Sequence, residues 1–114
     1  MKVYTADSVA PSQVPHGEGV AIRWLITTEH GAPNFAMRII EVQPGGGTPF
    51  HTHPEEHEVY VLEGKGALLD EEEKEMALAP GDVAFVLPNE QHQFVNRGDT
   101  MLRFICVIPL LKRE

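Results

Sequence analysis

Three histidines lie within seven positions of the sequence, in the stretch FHTHPEEHEVYVLEGKG (50–66), with three glutamates beside them. Imidazoles and carboxylates are common ligands of first-row transition metals, so the stretch predicts a metal site. His51 and His53 begin the ligand set, and the next ligand is one of the residues 55–58. The choice decides which metals fit and therefore which chemistry is available.

Strand periodicity and Pro54 bear on this choice. Residues i and i+2 of a strand point to the same face, so a short strand over 50–53 aims His51 and His53 together. Pro54 has no backbone donor and interrupts the strand, which leaves Glu55 and Glu56 in a turn.

The chain is expected to resume as a strand at His57. His57 then shares a face with the small β-branched Val59 and Val61, which is typical of an inner face. His57 is therefore predicted to point inward, and Glu58 toward an outer layer or a subunit boundary.

A fourth ligand must come from elsewhere, and His92 follows a predicted turn where a strand re-enters the fold. His16 and His30 lie in Gly/Pro-rich contexts and are predicted to be exposed loop residues. Four neutral imidazoles suit Mn, Fe, Co, Ni, Cu or Zn. Structural zinc usually takes cysteine thiolates, and Cys106 is the single cysteine, so an open site is expected. Metal affinity is predicted to weaken as pH falls through about 6.5.

Length and charge limit the functional classes. The 114 residues predict one domain, and the net charge of −8 disfavours nucleic acid and anionic membranes as partners. The acidic run 70–75 is interpreted as a solvated hairpin turn. There is no signal-peptide pattern and no apolar run near the roughly 18 residues of a membrane span. The single cysteine fits a reducing compartment, so a cytoplasmic location is expected.

Short β-branched and aromatic runs separated by turn residues dominate the chain. They predict nine or ten strands, among them 20–28, 35–42 and 57–64, and an all-β single-domain sandwich or barrel. Residues 43–49 are interpreted as a Gly/Pro loop. Residues 1–19 are expected to be an extended arm, as an edge strand or an exchanged segment, with the barrel at 20–114. Several strands are apolar on both faces, which predicts a homodimer; the alternative is a two-sheet sandwich with one interior layer.

The spacing of these residues resembles the first motif of the cupin superfamily. Gly45 precedes H-x-H by five residues, three residues separate His53 from His57, and six more lead to Gly64. By this count His57 stands where the family keeps a glutamate. Counting four residues instead gives Glu58, but Gly64 then comes one residue early.

A second cupin-like motif begins at Gly81, and within it His92 and Asn96 match the family's histidine and asparagine. Leu87 replaces the motif proline and Asn89 the motif glycine; Asn is the non-Gly residue best suited to a left-handed turn. The flanking segments further resemble the small manganese-binding four-histidine cupins, which are dimeric jelly-roll barrels.

The resemblance implies a double-stranded β-helix that holds one divalent transition metal per chain, Mn first, with Fe, Ni, Cu or Zn as alternatives. The implied ligands are His51, His53, His57 and His92. Pocket residues are expected on the strands next to the ligands. On the last strand, Phe104, Cys106 and Ile108 share one face and are assigned to the pocket; the other face, with Arg103, Ile105 and Val107, is the alternative. Arg38 shares a face with Ile40 and Val42: if that face is internal, Arg38 anchors a substrate carboxylate, and otherwise it is a surface or interface arginine.

Two functional classes follow from this resemblance. The first is a metalloenzyme for a small organic substrate, an oxygenase or oxidoreductase, or else a decarboxylase or isomerase. The second is a non-catalytic module that binds or senses a small molecule. Since no further carboxylate or general base is evident near the predicted ligands, the sequence supports no detailed acid–base mechanism.

Overall fold

The computed structural model describes residues 1–111, and within them the predicted all-β fold is confirmed. The strands are β1 Ser12–Gln13, β2 Glu18–Ile26, β3 Phe35–Gly47, β4 His57–Glu63, β5 Gly66–Leu69, β6 Glu75–Leu78, β7 Val83–Val86, β8 Gln93–Asn96 and β9 Leu102–Pro109. Two short 3-10 helices, Ala6–Ser8 and Thr28–His30, complete the elements. No helix of the described residues is long and apolar enough to cross a bilayer.

The sheet is antiparallel and curls into a jelly-roll barrel around the long strand β3. Its order is β6-β5-β8-β3-β9-β4-β7, and β2 pairs with β3 beside this path. Across the middle of the sheet, Ile40 of β3 pairs with Ile22 on one side and with Phe104 on the other. Phe104 in turn pairs with Val61 of β4. The inward side chains of this row form the main apolar core.

The segment predicted as a Gly/Pro loop belongs in part to a strand, because β3 continues to Gly47. The pairing of β3 with β2 shifts register between Glu18 and Val20. Gly46 permits this continuation, since a Cβ there would overlap the carbonyl oxygen of Glu18. The glycines therefore allow two backbones to approach closely, and the loop prediction for residues 43–47 was wrong.

The short strand predicted over residues 50–53 is also absent. Proline at positions 49 and 54 flanks the segment and cannot donate to a ladder. His51 instead forms an isolated bridge with His92, in which each backbone N–H donates to the other's carbonyl at 3.2 and 3.0 Å. This bridge, rather than strand periodicity, positions the two histidines.

The N-terminal arm lies against its own barrel. Ser12 of β1 pairs with Ile22 of β2, and the Val14 N–H donates to the Val20 carbonyl at 3.2 Å. The sheet thus begins before the predicted arm boundary at residue 19. The last residues of the predicted barrel range, 112–114, lie outside the described residues.

Candidate metal centre

Four histidine rings converge at one end of the barrel. His51 and His53 lie between β3 and β4, His57 opens β4, and His92 directly precedes β8. Five of the ring pairs have centroids 4.7 to 5.0 Å apart. One nitrogen from each of His51, His53 and His92 lies within 4.8 Å of the others, so these three could hold a metal ion. His57 adjoins this group, with its Nε2 atom 2.9 Å from Nε2 of His53.

The Nδ1 atoms of His92 and His57 face other groups of the protein, and their Nε2 atoms face the cluster. His92 Nδ1 lies 2.8 Å from the Glu90 carbonyl oxygen. A carbonyl can only accept, so Nδ1 carries the proton and Nε2 keeps a lone pair. His57 Nδ1 lies 2.8 Å from the Cys106 sulfur. Such outer contacts of Nδ1 are typical of metal-ligating histidines, because they leave Nε2 for the ion.

The spacing of His53 and His57 fits a shared cation. In the metal-free protein the two Nε2 atoms form a hydrogen bond of 2.9 Å, in which the tautomer decides the donor. A metal ion requires both Nε2 atoms to be unprotonated, and a cation between them would then relieve the repulsion of the two lone pairs. Two nitrogens about 2.1 Å from one ion and 90° apart are about 3.0 Å from each other. Imidazole nitrogens therefore supply both the chemistry and the spacing for a first-row transition metal.

Burial favours the neutral form of three of the rings, those of His51, His57 and His92. It lowers the pKa of His57 to about 2, with the positive charge of Arg38 as the next cause. Burial also lowers the pKa of His51 to about 4, followed by the effect of His92, and it lowers the pKa of His92. The sequence-based expectation of proton competition near pH 6.5 is thus corrected for these three rings, whose competition with protons lies at lower pH.

The choice between His57 and Glu58 can be read from β4. The side chains of this strand alternate between buried and exposed from His57 to Leu62. His57 is 5% exposed and faces the other histidines, whereas Glu58 lies on the exposed face. Of these two residues, only His57 is placed at the histidine cluster.

Arg38 lies buried behind His57, with 7% of its surface exposed. Its Nη2 atom donates to the Cys106 sulfur at 3.1 Å and lies 3.3 Å from His57 Nδ1. Its guanidinium carbon is 5.2 Å from the centroid of the Trp24 ring. Burial raises the pKa of the Cys106 thiol, although Arg38 opposes the shift.

A cavity of about 270 Å³ opens onto the histidines. Of the predicted pocket residues, Arg38 and Ile108 line it. Phe104 and Cys106 lie behind its wall and are 0% exposed. Phe104 packs on Phe94 at a centroid distance of 4.7 Å, and it is Phe94 that lines the cavity. Phe104 and Cys106 do alternate with less buried neighbours along β9, as expected. Of the three residues predicted to line the cavity from this strand, however, only Ile108 reaches it.

Glu55, one of the four candidate ligands of the sequence, was expected to lie in a turn away from the site. Its carboxylate lies 3.8 Å from Nδ1 of His53, and it lines the cavity. Glu55 does lie outside the strands, but its position corrects the expectation that no further carboxylate lies near the histidines. The signal available in the sequence was its position directly after Pro54, two residues from a predicted ligand.

Comparisons with known proteins agree with this architecture. The family model described as the cupin domain matches residues 38–108. The oxalate-binding protein of Thermotoga maritima is 30% identical, with 96% of this chain and 94% of that protein covered.

Two solved structures are similar along nearly the whole chain. The polyketide cyclase RemF from Streptomyces resistomycificus has a TM-score of 0.90 and 33% identity, over 100% of this chain and 82% of that one. A predicted oxalate decarboxylase from Thermotoga maritima has a TM-score of 0.83 and 29% identity, over 96% and 100%. Fold, family match and full-length relative lead to one conclusion: the chain belongs to the cupin domain family.

Proposed function

We propose that the protein is a metalloenzyme that binds one divalent transition metal through His51, His53, His57 and His92 and acts on a small organic substrate. The convergence of four imidazoles on the wall of one cavity carries this proposal. Manganese is the proposed native metal, with Fe, Ni, Cu or Zn as alternatives. The proposed reaction is that of an oxygenase or oxidoreductase; decarboxylation and isomerisation use the same kind of site.

A bound ion of this type supplies Lewis-acid chemistry and, for Mn or Fe, one-electron redox chemistry. The chain's own groups hold and orient the reactants. Arg38 offers a guanidinium to an anionic oxygen, and Glu55 places a carboxylate near His53 that can exchange a proton at its Oε1 atom. Residues such as Ile22 and Phe94 on the cavity wall exclude water.

The relaxation rate of water protons around the Mn²⁺-loaded protein tests whether the site is open. Exchangeable water on the ion raises this rate well above that of the metal-free protein. A tetrahedral zinc site with no exchangeable water in protein from its native host would contradict the proposal. Turnover is then sought with a metabolite mixture and mass spectrometry, and His53→Ala is the inactive control.

The second candidate is a module that binds a small molecule without converting it. The specific observation in its favour is the 30% identity to an oxalate-binding protein along 96% of the chain. This candidate predicts a carboxylate that raises the melting temperature and is recovered unchanged. Metal-dependent consumption of the ligand would exclude it.

A homodimer remains part of the proposal. Tyr60 of β4 and Val83 of β7 are paired neighbours, and both are exposed on the outer face, as is Phe85. A contiguous apolar face of this kind is typical of a surface that a partner covers. Light scattering of Tyr60→Glu against wild type tests this: the mutation is expected to give monomers from a dimeric wild type.

A further inference from the structure

The guanidinium of Arg38 forms no ion pair with a carboxylate of the described residues. It donates to the Cys106 sulfur, lies 3.3 Å from His57 Nδ1 and has the Trp24 ring as its third neighbour. Among residues 1–111, no carboxylate lies within 4 Å of it, and its Nε atom is buried without a hydrogen-bond partner. A buried cation without a counter-charge is costly, and Arg38 lines the cavity, so the anion is expected from a ligand.

Away from the histidines, Arg38 and Glu55, the cavity wall is mostly hydrocarbon. Most of its apolar lining comes from four strands and the arm: Val14, Val20, Ile22, Ile40, Phe94 and Ile108. The one hydroxyl of the lining, that of Thr48, is already engaged, since it accepts the Phe94 N–H at 2.9 Å. Away from the histidines, Arg38 and Glu55, the wall therefore offers a ligand apolar contact and no side-chain hydroxyl for further hydrogen bonds.

This combination discriminates between ligand classes. A sugar phosphate carries a hydroxyl on almost every carbon, and each hydroxyl buried against the apolar wall would lack a partner. Oxalate would satisfy Arg38, but it has no apolar part to place against the wall. An apolar body joined to one anionic group matches both the wall and the cation.

We infer that the cavity takes an organic anion with an apolar body of one or two rings, whose carboxylate lies at Arg38 and whose hydrocarbon packs on Ile22, Phe94 and Ile108. The inference rests on the proposed function for the location of the site, and it specifies the substrate class. It also distinguishes this protein from a simple oxalate binder.

Calorimetric titration of the Mn²⁺-loaded protein with acetate, oxalate and benzoate tests the apolar part. Benzoate is expected to bind at least tenfold more tightly than acetate or oxalate, because the ring removes apolar surface from water. Glucose 6-phosphate is the polar comparison and is expected to bind more weakly than benzoate. Equal or tighter binding of oxalate or glucose 6-phosphate would overturn the inference.

Two matched variants test the individual contacts. Arg38→Gln is expected to weaken benzoate at least tenfold and to leave neutral benzyl alcohol within twofold, with partial recovery of benzoate binding in Arg38→Lys. Ile22→Asn is expected to weaken benzoate severalfold and to leave acetate unchanged. Ile26→Asn is its control, because Ile26 is on the same strand and outside the cavity.

Equal losses for benzoate and benzyl alcohol in Arg38→Gln would overturn the assignment of the carboxylate. The Mn²⁺ affinity of each sample, measured without carboxylate, reports on the proposed function separately. Benzoate binding without metal binding would refute the metal site and leave the ligand class standing. Metal binding without selection for benzoate would refute the ligand class and leave the metal site standing.

Discussion

Replacement of His57 and of Glu58 by alanine separates two adjacent residues that the sequence offered as alternative ligands. His57 faces the other histidines, with its Nε2 atom 2.9 Å from that of His53, and Glu58 faces outward. His57→Ala is therefore expected to weaken metal binding strongly, and Glu58→Ala to leave it unchanged. A third variant, His57→Phe, keeps a ring in the site and removes the nitrogens.

The magnitude follows from what each variant leaves behind. Loss of a group that only orients a ligand costs about 10–100-fold in metal affinity. Loss of the ligand itself is expected to exceed about 100-fold, or about 2.7 kcal/mol. Binding is weakened rather than abolished, because the nitrogens of His51, His53 and His92 still lie within 4.8 Å of one another.

The assay is a titration with Mn²⁺ followed by electron paramagnetic resonance, in which the signal of free aqueous Mn²⁺ reports the unbound fraction. Urea unfolding of the metal-free variants shows whether the fold is intact. A His57→Phe protein that folds and binds Mn²⁺ within about threefold of wild type would refute the role of His57. A comparable loss in Glu58→Ala would assign the ligand to the other residue.

Three further predictions concern the surroundings of the site. In the metal-free protein, the lowered pKa of His57 means that the unfolded chain takes up a proton that the folded chain does not. The free energy of unfolding therefore falls as pH drops below 6.5; His57 alone contributes about 2 kcal/mol of this fall at pH 5, and His51 and His92 add to it. Urea unfolding at pH 7 and pH 5 checks this, and His57→Gln should lose that part of the slope. Cys106→Val removes the sulfur 2.8 Å from His57 Nδ1 and is expected to weaken Mn²⁺ binding about 10–100-fold. Cys106→Ser is expected to restore part of the affinity, and equal affinity of wild type, Cys106→Val and Cys106→Ser would contradict the role of the sulfur. Gly46→Ala is expected to destabilise the fold by about 1–3 kcal/mol or more, because its Cβ meets the backbone of Glu18. Gly45→Ala is the comparison: a Cβ at position 45 meets no neighbour, but the φ of 79° there disfavours any side chain, so the substitution is expected to lower the free energy of unfolding by about 1–2 kcal/mol. A smaller loss for Gly46→Ala than for Gly45→Ala would refute the steric argument.

The sequence was most informative where one local rule decided the outcome. Alternation along β4 separated His57 from Glu58, and β-branched runs located most strands. The spacing of H-x-H, His92 and the motif glycines led to the cupin fold, which the family match confirms.

Long-range contacts decided the features that sequence reasoning could not reach. Strand propensity could not show that Gly46 admits the backbone of a strand 28 positions away, nor that the flanking prolines leave His51 with a single bridge to His92. The place of Glu55 on the cavity wall depends on the path of the turn after Pro54. Periodicity alone gives the face of a residue on its strand but not its depth, which is why Phe104 lies behind Phe94.

The central claim is that four imidazoles hold one metal ion in an open site. A crystal structure of the metal-loaded protein, with anomalous data collected at the absorption edge of the ion, tests it most directly. The expected result is one ion bound by Nε2 of His51, His53, His57 and His92, with water at the remaining positions. An ion held by three histidines with the His57 ring turned away, or one bound by Glu58 or by the Cys106 sulfur, would contradict it.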